Sequence, residues 1–175
     1  MNFARRVVLI SLFGALCFSG LAQTGYQVKP DHPRLLITDV PEVARRCEGP
    51  LADDYRVVKD RADAAVRRGR LEFISNKWSI PEDLMNCALA YLIERERGRE
   101  HQKYADAITR EWGDGSVIAN PEGSHFGYHA LAYDWIYDAL TSEERVRYGE
   151  ALGSWLRFFT EKPEILLKWG HWEYN

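Results

Sequence analysis

Cysteine is scarce in this chain, with three among 175 residues. One of them, Cys17, falls in the first 22 residues, so Cys47 and Cys87 can close one bridge at most and a disulfide-built scaffold is excluded. Both lie on apolar helix faces, where a buried free thiol is as ordinary as a bridge. Positive charge is not in excess either: 23 basic residues stand against 26 acidic ones. The only basic run, Arg67-Arg68-Gly69-Arg70, sits at a helix end, where cations favour the dipole. Nucleic acid as a partner needs a concentrated basic surface and is argued against. After residue 22 no apolar run has the length of a membrane span. Also missing are a Gly-rich phosphate loop, a serine nucleophile elbow and a Cys-x-x-Cys pair. No segment alternates with a convincing strand period, no linker divides the chain and no stretch is low-complexity.

What is present begins with an export signal. Arg5 and Arg6 form its charged start, Val7 to Ser19 its apolar core, and Gly20-Leu21-Ala22 supplies the small residues read by signal peptidase. An uncleaved anchor is the alternative. Cys17 is no lipid-attachment cysteine, because Leu16 before it is not small. The first 22 residues hold two of the 23 bases and no acid, so the mature chain carries 21 against 26, a net of −5. The protein is expected to be exported, periplasmic or secreted, with no stable span after cleavage. Its aromatic content is 13% and all six tryptophans lie in the mature part, which suits a carbohydrate cleft even though most such rings must be core.

The tetrapeptide Ala-Leu-Ala-Tyr occurs at 88–91 and again at 130–133. The first copy leads to Tyr104-Ala105-Asp106-Ala107 and Trp112, the second to Tyr148-Gly149-Glu150-Ala151 and Trp155. Each copy reads as helix, turn and helix. A hairpin of roughly forty residues cannot bury its apolar face alone and must stack on neighbours. The fold class expected is all-α: antiparallel helical hairpins forming part of an incomplete (α/α) toroid, with residues 23–175 its N-terminal part and the molecule unfinished at Asn175. Asp39 or Thr38 caps a first helix with Pro41 in its first turn, running to about Glu48. Leu51 to about Arg70 forms a second. Ser79 with Glu82, and Thr141 with Glu144, have the spacing of capping boxes. Gly113 to Gly123 reads as a loop, and the second repeat as a helix over about 124–140 with its partner running to about Thr160. About six helices are expected in all.

Four places carry candidate chemistry. His125 and His129 share a helical face with Glu122 and Tyr133, a spacing open to metal ligation. Aromatic-rich faces hold histidine more often as hydrogen-bonded core or as a sugar contact, so no metal is assigned. Asp134 sits among Tyr133, Trp135 and apolar neighbours, where an acid is costly unless bonded. It reads as a structural acceptor for donors of a neighbouring helix, with catalysis the minority reading. The third place is the set of rings on the same helix, Tyr128 and Tyr133. The last is Gly170-His171-Trp172-Glu173-Tyr174-Asn175, which gathers an imidazole, a carboxylate, a phenol and an amide. Proton abstraction beside a carboxylate needs one group to neutralise that carboxylate and a base within reach of the α-proton; this segment has the chemistry for both.

The opening His32-Pro33-Arg34-Leu35-Leu36, the paired Ala-Leu-Ala-Tyr hairpins and Ala132-Tyr133-Asp134-Trp135-Ile136-Tyr137 followed by Leu140-Thr141-x-Glu143-Glu144-Arg145 resemble the N-terminal α/α toroid of heparinase II/III-like polysaccharide lyases and related alginate lyases. The resemblance covers Asp31 to Asn175. It implies cleavage of a uronic-acid polysaccharide by β-elimination, a toroid followed by β-sheet domains, and a uronate-binding position matched by His171 or Asn175. With these as catalytic residues, Tyr128, His129, Tyr133, Trp172 and Glu173 are the expected substrate contacts and an acidic polysaccharide the partner. No cofactor is assigned. The chain departs from the family in having no histidine after Asn175 and in the close spacing of His171 and Glu173. A tetratricopeptide-like binding scaffold and an α/α-toroid glycoside hydrolase are the alternatives, the latter requiring paired carboxylates.

Overall fold

The computed structural model describes residues 31–72, 81–119 and 126–162, with the main chain alone at Phe159. The described residues contain helices and turns and no strand. Helix α1 (Val40–Arg46) starts at Asp39, whose carboxylate accepts from the Glu42 amide at 3.0 Å, and Pro41 fits the first turn, where no amide is missed. It stops at Arg46, short of the expected Glu48. Helix α2 (Ala52–Arg68) ends on Gly69, whose φ of 74° is a left-handed cap that a side chain would strain. Helix α3 (Glu82–Glu96) begins one residue after Pro81. Ser79 lies outside the described residues, and Glu82 opens the helix rather than occupying its third position.

Helix α4 (Gln102–Trp112) follows, then a short α5 (Ser116–Ala119) where a loop was expected. Asp114 caps this turn by accepting from the Ser116 amide at 2.9 Å, and Ile118 is fully buried. Tertiary packing, rather than propensity, makes a four-residue helix worth forming. Helix α6 (Phe126–Ile136) passes into a 3₁₀ turn (Tyr137–Ala139), so the expected helix over 124–140 is shorter and changes pitch at its end. Residues 120–125 lie outside the described part. Helix α7 (Ser142–Glu161) has the expected capping box, with Thr141 and Glu144 bonded reciprocally.

Helix α3 lies at the centre, packed by α1, α2, α4 and α6. Leu84, Cys87, Ala88, Ala90, Tyr91, Leu92 and Ile93 are all buried, which explains why its sequence is apolar nearly all round. The two Ala-Leu-Ala-Tyr helices, α3 and α6, pack side by side as expected. Fully buried Ala62 and Ala65 on α2, Ala88 and Ala90 on α3, and Ala132 on α6 let the helices approach closely. The five-residue connections 97–101 and 137–141 turn α4 back on α3 and α7 back on α6. Cys47 and Cys87 are both free thiols. No helix among the described residues is long and apolar enough to cross a membrane.

Candidate functional site

Helix α6 carries every described residue that was singled out for chemistry, and its neighbours explain what each does. His129 is 2% exposed. The Trp112 indole N–H points at its Nδ1 from 3.1 Å, so Nδ1 is the acceptor and the neutral ring carries its proton on Nε2. Trp112 is buried, and a buried indole N–H requires such an acceptor. The Trp112 ring also meets Tyr148 edge-on at 5.1 Å. The Tyr148 hydroxyl lies 3.4 and 3.3 Å from the carbonyls of Thr109 and Gly113 at the end of α4, the first of which also accepts from the Gly113 amide. His129 was expected to touch substrate; it sits in the interior, joining α4, α6 and α7.

Tyr133 is half-buried and its hydroxyl donates to the Arg145 carbonyl of α7 at 3.0 Å. Gly149 makes this possible: a Cβ there would lie 3.3 Å from the Tyr133 hydroxyl. Burial, with the neighbouring Tyr137 adding to it, pushes the Tyr133 phenol up, so it stays protonated at neutral pH. Tyr128 is half-buried against the core.

Asp134 is buried and fully engaged. One carboxylate oxygen lies 2.6 Å from His32 Nδ1, and the other accepts from the amides of Arg34 at 2.7 Å and Leu35 at 2.8 Å. The acid is thus a structural acceptor, as its setting required. Its donors come from the segment ahead of α1, about a hundred residues earlier, and not from a neighbouring helix. The His32 ring stacks on Tyr137 at 3.7 Å, and the Arg145 guanidinium sits 4.5 Å from the same tyrosine ring. Trp135 Nε1 donates to the Leu35 carbonyl at 3.1 Å. Residues 32–35 and 134–137 are therefore two halves of one clasp.

His32 was not singled out as Asp134's partner. The signal was present: an acid in an apolar helix needs donors, and Arg34 and Leu35, ahead of the first described helix, have amides to spare. His171, Trp172, Glu173 and Asn175 lie outside the described residues, as do Glu122 and His125. Among the described residues no group of His, Cys, Asp and Glu side chains could hold a metal ion. Comparison with protein families, with curated proteins and with solved structures finds no match to this chain.

Proposed function

We propose that the chain is the exported N-terminal part of a polysaccharide lyase acting on a uronic-acid polymer. The observation that carries this reading is the clasp. His32-Pro33-Arg34-Leu35 and Tyr133-Asp134-Trp135-Ile136-Tyr137, two of the three features on which the resemblance rests, engage one another through four hydrogen bonds and a ring stack. Segments that must fit each other form a more specific signature than either alone. The side-by-side Ala-Leu-Ala-Tyr helices support the same hairpin stack, of which a toroid is the closed form.

The chemistry is assigned to His171 and Asn175, with Trp172, Glu173, Tyr128 and Tyr133 as the further substrate contacts. The polar pair neutralises the uronate carboxylate and so acidifies the proton next to it. A base takes that proton, the electron pair forms a C=C bond, the β glycosidic C–O bond breaks and its oxygen is protonated on leaving. His129 acts from behind, by holding the helix that presents these rings. A glycoside hydrolase is disfavoured because Asp134, its best described acid, has its carboxylate committed to three donors.

The test is to incubate the full-length exported protein with several uronic-acid polymers and follow the ultraviolet absorbance of unsaturated uronate. Absorbance rising with chain scission supports the lyase. New reducing ends without absorbance indicate a hydrolase, and binding without scission indicates a scaffold; either result overturns the reading.

A further inference from the structure

The segment ahead of α1 is held by a small set of polar contacts and by the His32 ring stacked on Tyr137 at 3.7 Å. Arg34, Leu35 and Leu36 are exposed, Leu36 by 80%. Of its neighbours, Pro33 is buried and Ile37 packs partly on the core. What fixes the segment is Asp134, accepting from His32 Nδ1 and from the Arg34 and Leu35 amides, and Trp135, donating to the Leu35 carbonyl. That same carbonyl accepts from the Ile37 amide at 2.6 Å, closing a three-residue turn around Leu36. Leu36 has φ of 58°, a left-handed conformation that costs a branched aliphatic residue and that its exposed side chain does nothing to offset.

We propose that residues 32–37 form a strained strap that opens and closes on α6 as a unit of its own, with Asp134 as the latch. Strain at Leu36 favours opening, while the latch opposes it. The apolar surface the strap covers is limited to Pro33, the His32–Tyr137 stack and part of Ile37, so opening leaves the core of α2, α3, α4 and α6 intact; this is the condition for a separate low-stability unit. The opened strap loses no paired group to a dry interior, because its amides and the Asp134 carboxylate become solvated together. Since the strap precedes its latch by about a hundred residues, it closes only after α6 has formed.

Limited proteolysis of the intact chain with trypsin tests this. The Arg34–Leu35 bond is read by mass spectrometry and helix content by far-ultraviolet circular dichroism. Where opening and closing are fast, cleavage tracks the open population. Asp134→Ala should speed cleavage at Arg34 at least tenfold with helix content unchanged. Leu36→Asn, which places a residue tolerant of left-handed φ at the strained position, should slow it by about fivefold. If Asp134→Ala loses its helices, Trp135→Phe decides: it keeps an aromatic ring and removes only the indole donor. Faster cleavage with helices retained supports the strap. Unchanged cleavage in Trp135→Phe, helix loss in both variants, or no slowing in Leu36→Asn overturns it.

Discussion

Replacing Glu94 by leucine should destabilise this protein far more than its position near the end of α3 suggests. The Glu94 carboxylate is 3% exposed and accepts from the Tyr55 hydroxyl at 2.8 Å and from Arg97 at 3.2 Å. Arg97, whose side chain is 8% exposed, also donates to the Ala44 carbonyl at 3.0 Å and packs 4.8 Å from the Tyr55 ring centroid. This cluster ties α1 and α2 to the C-terminal end of α3. Leucine in place of Glu94 leaves a buried hydroxyl without its acceptor, a loss of about 1–3 kcal/mol. It also breaks a buried ion pair, for which about 3–5 kcal/mol is typical. The second loss is tempered, because the half-exposed Glu48 still faces Arg97 at 3.2 Å. A net cost of roughly 3 kcal/mol follows, or a Tm drop of about 6–12 °C for a domain of this size. Thermal melts followed by circular dichroism measure it. Glu94→Leu combined with Arg97→Met removes both charges and should regain at least about 1 kcal/mol over Glu94→Leu alone. A Tm drop under about 2 °C, or a double variant as unstable as the sum of its singles, refutes the reasoning.

Two further outcomes follow from a half-buried carboxylate and a buried thiol. Burial alone would raise the Asp63 carboxyl, but hydrogen bonds from Lys59, Lys103 and Tyr104 outweigh it and hold the group at about 2. Its contribution to stability is therefore present above the unfolded carboxyl value of about 3.9 and is lost as pH falls towards about 2. Asp63→Asn should flatten that part of the acid limb in urea titrations; an unchanged limb contradicts the pairing. Burial, with the Asp83 charge adding to it, pushes the Cys87 thiol up to about 12. Cys87 should resist a thiol reagent at pH 8 until the protein unfolds, and mass spectrometry showing rapid native-state labelling would count against its burial.

Much of the helical framework was legible because it rests on local chemistry. Asp39 with the Glu42 amide, and Thr141 with Glu144, cap helices through groups three residues apart, so spacing alone reveals them. The repeated Ala-Leu-Ala-Tyr marks the two helices that must lie close, and small side chains are the reason they can. What escaped depends on distant partners. Helix α5 packs against α7 and buries Ile118 in the core, which no local propensity records. His129 looked equally suited to a cleft or a core until the Trp112 indole was placed beside it. Asp134 announced its need for donors but not their origin in His32, Arg34 and Leu35.

Under the proposed function, His32 and His129 hold the helical stack and His171 performs the chemistry. The measurement that tests this most directly is kcat for unsaturated-uronate release by the full-length protein, compared between His171→Ala and His32→Ala at matched folded fraction. Losing a donor to the charge that develops on the uronate should lower kcat about a hundredfold or more in His171→Ala. His32→Ala, which removes a strap contact, should leave kcat within about twofold. A collapse in His32→Ala with His171→Ala unaffected would place the chemistry at the Asp134 clasp and contradict the account.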